Sequence, residues 1–516
     1  MLHCKVKTNS IETLFDSFIQ SNLSFIWILM ESSNKRVEAY KELLTRKPID
    51  VKLEPSFFEN NRTRLLNRFK KAHPEKVKGG VILLGSQHSS RLHDTEVKVR
   101  TGQSPAFYWT FGTEEEEVYG GINIENGRTV IFYTVAGDGL EEKAKQERLL
   151  QIFKPDLLCP VDEFASFLTE EYGAKTVYLY HGVDSDSGNT PELPQLPDLG
   201  FFEVDKETLF PILVECRVFK SDEEANVLRT AARISSEAHI AVMQNIKPGL
   251  MEYQIEALFK FHCHLLGGKD VAYACICASG RDAATLHYQD NDKVQKDGTL
   301  VLADMGCKFQ GYCADITCTY PVNGKFTKKQ KEIYDAVLDA TLTVEKTMKP
   351  GIKWEDMHLL AEKIIVEHLI KLGLVKDAPW EELKENRIGA IFFPHGLGHL
   401  LGLAVHDCGG YMKGLPERIM QPGLKSLRTR RTLDKGMCIT VEPGLYFIET
   451  LLEQAYKDET KSKYLVKEKI DEYMEVGGVR IEDDVIVTDD GIENFTVVPR
   501  TTEEIEKCMA GLDWRS

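Results

Sequence analysis

The sequence predicts an α+β protein in two parts, an N-terminal α/β region followed by a region mixing helices with mainly antiparallel strands. Up to about residue 206, short apolar runs of strand length alternate with charge-rich amphipathic stretches, the pattern of an α/β layer structure. The segment SDSGNTPELPQLPDLG at 185–200 then breaks the periodicity, as a loop or linker rich in Ser, Gly, Pro and Asp does. Beyond it come long helices with well-formed N-termini, and strand patterns that recur to the C-terminal end.

At 516 residues the chain exceeds what one core ordinarily organises, so two domains are expected, 31–206 and 207–516. Residues 1–30 form an extension of separate status. Its apolar run LSFIWILM, ending at Met30, is too short to span a bilayer and no clean small-residue cleavage site follows it. In the N-terminal part GGVILLGS (79–86), RTVIFYTV (128–135) and KTVYLYHGV (175–183) read as strands, and EEKAKQERLLQIF (141–153) as an amphipathic helix between two of them. The helix predicted over 221–246 opens with Ser221 as cap and Asp222, Glu223 and Glu224 in its first turn. A second, over 328–351, carries Ile333, Val337, Ala340 and Val344 on one face and stops at Pro350–Gly351. Strands are predicted near 296–305, 312–320, 437–447 and 478–488.

Composition narrows the function. An apolar content of 42% suits globular packing, and a net charge of −16 argues against nucleic acid or an anionic membrane as the main partner. Twelve cysteines without a CxxC pair or zinc-finger spacing read as buried reduced thiols of an intracellular protein, and with no apolar run long enough to span a bilayer a cytoplasmic protein is expected.

The chemistry lies in five short contexts spread through the C-terminal half: Asp304 in LADMG, Asp315 in CADIT, His399 in PHGLGHLLG, Glu442 in TVEPG and Glu482 in GGVRIEDD. Four hard carboxylates and one imidazole are the donors two divalent cations need, suiting Mn²⁺, Mg²⁺ or Fe²⁺ and not excluding Zn²⁺. If LADMG to CADIT is a hairpin turning at Lys308–Gly311, Asp304 and Asp315 fall opposite one another and project together. His395 and His399 stand four apart with two glycines between them, which favours close backbone packing around an irregular segment. Glu442 ends a strand just before Pro443–Gly444, a position facing a cleft. Strand alternation puts Arg480, Glu482 and Asp484 on one face of an apolar strand, where buried acids need a cation or partner.

These contexts, in this order, resemble the pita-bread metallopeptidases: methionyl aminopeptidase, aminopeptidase P, prolidase and creatinase. ILVECRVFKSDEEANVLR, RISSEAH, GLKSLRTRRTL and RIEDDVIVTDDGIENFTVVPRTTEEIE are similar to eukaryotic prolidases, the Xaa-Pro dipeptidases. The resemblance implies a creatinase-like N-terminal domain, a pita-bread catalytic domain and two metal ions, with Mn²⁺ favoured. It implies that Asp304 binds one metal, that His399 and Glu442 bind the other, and that Asp315 and Glu482 bridge them. His287 in TLHYQ, His406 and Arg428 match substrate-contacting positions. The implied reaction is hydrolysis of Xaa-Pro dipeptides by metal-activated hydroxide, with Glu442, His287 and His406 catalytic. Arg428 would read the substrate's C-terminal carboxylate. A homodimer is implied as well. The alternatives are an aminopeptidase P acting on longer Xaa-Pro peptides and a non-catalytic binding protein of the same fold.

Overall fold

The computed structural model describes residues 47–87, 102–135, 137 and 139–515, with the backbone of 90–91 and 98–99; the 1–30 extension lies outside these residues. The expected N-terminal strands form one six-stranded mixed sheet. Its strands are β1 (Gly80–Gly85), β2 (Val118–Asn123), β3 (Thr129–Tyr133), β4 (Leu157–Pro160), β5 (Thr176–Leu179) and β6 (Glu203–Asp205), in the order β4-β3-β2-β1-β5-β6. β1 pairs antiparallel to β2 and parallel to β5. With neighbours on both edges and cover on both faces, Val81, Ile82, Leu83 and Leu84 are all buried, which is why the run is continuously apolar rather than alternating. Helix α1 (Gly139–Phe153) begins two residues earlier than predicted and buries only Leu149 and Phe153, leaving its charged face to water.

Residues 51–264 and 268–516 form one compact unit. In a second, small unit the described residues Lys47–Asp50 meet Leu265–Gly267, and the Ile49 N–H donates to the Leu266 carbonyl (2.9 Å).

The two long helices start where their caps dictate. Helix α2 (Asp222–Asn245) opens with a capping box: Ser221 Oγ accepts from the Glu224 N–H (3.2 Å), and the Glu224 carboxylate accepts from the Ser221 N–H (2.9 Å). The same carboxylate accepts from Arg64 (2.6 Å), Trp109 Nε1 (2.9 Å) and the Tyr312 hydroxyl (2.9 Å). One cap residue thus ties the N-terminal helices to the hairpin that carries the site. Helix α3 (Lys328–Thr347) opens with a second box, Thr327 and Gln330, and fully buries Ile333, Val337, Ala340 and Val344. It ends before Pro350, whose preceding residue disfavours helical backbone.

The C-terminal sheets are short and antiparallel. β7 (Ile276–Ser279), β8 (Leu300–Asp304) and β11 (Thr317–Pro321) form one sheet; β9 (Cys307–Phe309) and β10 (Tyr312–Cys313) form the hairpin between them. β12 (Cys438–Val441) pairs with β15 (Asp483–Val487), and β13 (Gly444–Tyr446) pairs with β14 (Gly478–Arg480). Three strands predicted as continuous are therefore interrupted, at 314–316, 442–443 and 481–482, and each break holds one of the singled-out acids. The freed backbone is bonded elsewhere: Met305 N–H to the Ile316 carbonyl (3.0 Å), Glu442 N–H to Leu397 (2.8 Å), Glu482 N–H to Thr317 (3.2 Å). Buried apolar residues flank the acid at each break, among them Ala314, Ile316, Val441 and Ile481, so periodicity does not reveal the breaks.

The hairpin register differs by two residues from the expected one. The turn is the two-residue Gln310–Gly311, both with positive φ (48° and 80°), as a primed turn requires. This pairs Phe309 with Tyr312 and Asp304 with Thr317, so Asp315 is diagonal to Asp304 rather than opposite it. The glycines of PHGLGHLLG do mark close packing: a Cβ on Gly398 would stand 2.0 Å from the Thr440 carbonyl oxygen. Gly398→Ala is expected to cost about 1–3 kcal/mol by forcing that segment off β12, read from chemical denaturation midpoints; an unchanged midpoint would show that the contact is not tight.

All eleven described cysteines are free and buried, as the composition leads one to expect. Among the described residues no helix is long and apolar enough to cross a membrane.

Candidate metal centre

A cavity of about 580 Å³ opens among the C-terminal sheets, and all eight residues singled out from sequence line it: Asp304, Asp315, His399, Glu442, Glu482, His287, His406 and Arg428. Asp304 ends β8. Asp315 sits in the break between β10 and β11, Glu442 in that after β12, and Glu482 in that before β15. His399 lies on the irregular segment pinned against β12, where its N–H donates to Thr440 Oγ1 (3.1 Å) and its carbonyl accepts from the Thr440 N–H (2.9 Å).

Donor atoms of Asp315, His399 and Glu482 all lie within 4.8 Å of one another, and all three residues are buried. His399 Nε2 stands 3.2 Å from Asp315 Oδ2 and 3.5 Å from Glu442 Oε1. His399 Nδ1 faces the Leu400 carbonyl (3.1 Å) and so carries the ring proton, which leaves a lone pair on Nε2 facing the carboxylates. Asp304 is held differently, its two oxygens accepting from Tyr273 OH (2.6 Å) and Arg480 Nη2 (2.5 Å). Carboxylate oxygens accept more than one partner each, so Asp304 keeps lone pairs for a cation.

Four acids share this space with one fully enclosed guanidinium, Arg480. Burial, with the charge of Asp304 added, pushes the Asp315 carboxyl up to about 8. Burial pushes Glu442 up to about 7 against the opposing pull of His399 and Arg480. Glu482 is driven well above the carboxylate range by burial and by the charges of Asp315, Glu442 and Asp304. Burial lowers the His399 imidazole, favouring its neutral, ligating form. Lone pairs facing lone pairs in a site that resists ionisation are what a cation relieves, and hard oxygens with one imidazole nitrogen fit a divalent ion. The donor set of Asp315, His399 and Glu482 therefore fits a divalent ion.

This fit has a pH signature. Asp315 and Glu442 keep protons in the metal-free fold at pH values where the unfolded chain, with ordinary values of 3.8 and 4.5, has released them. Their contribution to stability is complete below about pH 4 and is lost as pH rises through about 7 and 8. The buried, neutral His239, His358 and His395 act in the opposite sense, losing stability as pH falls below 6.5, whether or not a cation is bound. The rise in melting temperature on adding a divalent cation should therefore be larger at pH 8 than at pH 5.5, because protons and metal compete for the same oxygens. Thermal unfolding of metal-stripped protein with and without Mn²⁺ reads this directly. A cation effect equal at both pH values would mean the acids are not the binding groups.

Around the centre, His406 Nδ1 lies 3.1 Å from Asp186 Oδ2, and its ring packs edge-on to His399 with centroids 4.5 Å apart. Arg428 Nη1 pairs with Asp186 Oδ1. His287 is exposed at the cavity wall. His395 turns Nδ1 to the Gly396 carbonyl (2.8 Å) and Nε2 to the Tyr446 hydroxyl (2.9 Å), and Tyr446 also accepts from Arg480 (2.9 Å). Arg480, Glu482 and Asp484 still converge, although their strand is broken: Arg480 binds Asp304, Thr317 Oγ1 donates to Glu482 (2.6 Å), and Asp484 accepts the Asp315 N–H. Sequence reasoning missed Tyr273, Tyr446 and Asp186. Tyr446 stands only four residues after Glu442, but a tyrosine in a strand pattern reads as core, and Tyr273 and Asp186 reach the site from segments whose local contexts do not mark them.

Residues 226–489 match metallopeptidase family M24. Over 472 residues the chain is 43% identical to the Xaa-Pro dipeptidase of Mus musculus and 42% identical to that of Homo sapiens, covering 90% of this chain and 95% of each relative. Among solved structures it is similar to aminopeptidase P from E. coli with the inhibitor Pro-Leu, with a TM-score of 0.71 and 28% identity, covering 89% of this chain and 99% of the other.

Proposed function

Because the chain belongs to metallopeptidase family M24, we propose that it is a dinuclear metal-dependent prolidase, hydrolysing dipeptides whose second residue is proline. The observation that carries this reading is the meeting of five cation donors with the partly exposed guanidinium of Arg428 in a single cavity of dipeptide scale. Near full-length similarity to Xaa-Pro dipeptidases supports the substrate class.

Asp304, Asp315, His399, Glu442 and Glu482 would hold two divalent ions, Mn²⁺ by family resemblance. Bound there, the ions supply Lewis acidity for the scissile carbonyl and lower the pKa of the attacking water. Glu442 accepts the proton of that water on a carboxylate oxygen and returns it to the prolyl nitrogen, which leaves as a secondary amine. His399 holds its Nε2 lone pair toward the centre by giving Nδ1–H to Leu400. Arg428 takes the dipeptide's terminal carboxylate, and His287 and His406 flank the carbonyl oxygen or that carboxylate. A longer peptide would put an amide where the guanidinium favours a charge. The enzyme is further proposed to be a homodimer, as the resemblance implies, and cytoplasmic, as its cysteine usage suggests.

The likeness to aminopeptidase P favours a second reading, removal of the first residue from longer Xaa-Pro peptides. Hydrolysis of Gly-Pro and Gly-Pro-Pro by metal-stripped protein, with and without Mn²⁺, separates the two. Metal-dependent cleavage of the dipeptide alone is expected. Cleavage of the tripeptide would move the assignment to aminopeptidase P, and no cleavage by folded, metal-loaded protein would leave a binding protein.

A further inference from the structure

One carboxylate joins two of the residues assigned above to substrate, and it comes from the opposite half of the chain. Asp186 lies in the loop after β5, in the segment that reads from sequence as a linker. Its two oxygens divide their work: Oδ1 pairs with Arg428 Nη1 and Oδ2 lies 3.1 Å from His406 Nδ1. The loop is shaped for this. Asp184 Oδ1 accepts from the N–H groups of Asp186 (3.1 Å) and Ser187 (2.8 Å), closing a local turn. Ser185, between them, docks on the catalytic half, its Oγ accepting from the Tyr411 N–H (3.1 Å) and its carbonyl from Arg418 (3.4 Å).

We infer that Asp186 is a positioning residue for substrate: it aims Arg428 and His406 into the cavity from behind. The inference rests on the reading of Arg428 as the carboxylate-binding group. A guanidinium held through one terminal nitrogen keeps its remaining N–H donors in a fixed plane, available to a bound carboxylate. An imidazole whose Nδ1–H is committed to a carboxylate presents Nε2 outward in one tautomer and one orientation. Asp186 and His406 also line a neighbouring cavity of about 520 Å³, so the pair forms part of the wall between the two spaces. Although burial opposes it, the hydrogen bond from His406 and the charge of Arg428 hold Asp186 well below the usual carboxylate range, so it stays ionised through the working pH. The alternative use of the same contact, Asp186 as a competitor that substrate must displace, predicts the opposite change in affinity.

The test is steady-state hydrolysis of Gly-Pro by the Mn²⁺-loaded enzyme carrying Asp186→Ala, Arg428→Gln or both. Asp186→Ala is expected to raise KM about tenfold or more with kcat changed less than about threefold. In the Arg428→Gln background it should add less than about threefold, because of the two groups it aims only His406 is left. Asp186→Asn, of equal size and without charge, should move KM the same way and serves if the alanine variant does not fold. An unchanged or lowered KM for Asp186→Ala would overturn the inference, as would full additivity with Arg428→Gln. If Arg428→Gln itself leaves KM unchanged, the reading of Arg428 fails first; if it raises KM and Asp186→Ala does not, only the role of Asp186 fails.

Discussion

Replacing Glu442 with glutamine is expected to leave a folded, metal-binding protein whose kcat for Gly-Pro is lower by about 10³-fold or more. Glu442 sits at the break after β12, its Oε1 accepting from Thr440 Oγ1 (3.3 Å) and lying 3.5 Å from His399 Nε2. Glutamine keeps the length, the acceptor for Thr440 and one oxygen for a cation. It loses the capacity to take a proton from water and return it to the departing nitrogen. The fold should be indifferent, because the Glu442 N–H bond to Leu397 and the pairing of β12 do not involve the side chain. Metal content by elemental analysis, together with kcat, decides the matter. Near-normal turnover with metal retained would remove Glu442 from the proton path.

Asp315→Asn is expected to split stability from function. The carboxyl is buried, faces the Nε2 lone pair of His399 at 3.2 Å and is pushed up to about 8. At pH 8 the metal-free protein therefore carries a poorly tolerated charge, or a proton the solvent would rather take. An amide of the same shape carries no charge and can donate to His399 Nε2, supplying the hydrogen the wild-type contact lacks. The metal-free variant should melt higher than metal-free wild type at pH 8, by about 2 °C or more. It should also lose the stabilising response to Mn²⁺, and kcat should fall by about 10³-fold or more. Thermal unfolding of both proteins with and without Mn²⁺ gives all the comparisons but the last. A variant less stable than wild type when metal-free, or one still stabilised by Mn²⁺, would mean that Asp315 does not carry the buried charge a cation relieves.

Much of this was legible in the chain itself. Ser221, with Asp222, Glu223 and Glu224 behind it, places one helix start to the residue, because a cap is a bond between neighbours in sequence. The apolar runs of β1, β3 and β5 place the N-terminal sheet, because burial on both faces leaves a local mark. The residue types of the site were legible too, since hard oxygens and one imidazole in short Gly- and Pro-marked contexts state a chemistry before they state a position. What tertiary structure alone decided is where these groups meet. The hairpin register turned on two backbone angles at Gln310 and Gly311, and moved Asp315 from opposite Asp304 to diagonal from it. The breaks beside Asp315, Glu442 and Glu482 arise because their N–H and C=O groups bond to other segments, which periodicity within one strand does not register. Arg480 on Asp304, 176 residues away, and Asp186 on Arg428, 242 residues away, are products of chain closure. Local patterning records how each segment is buried; only the closed fold brings together charges that lie far apart along it.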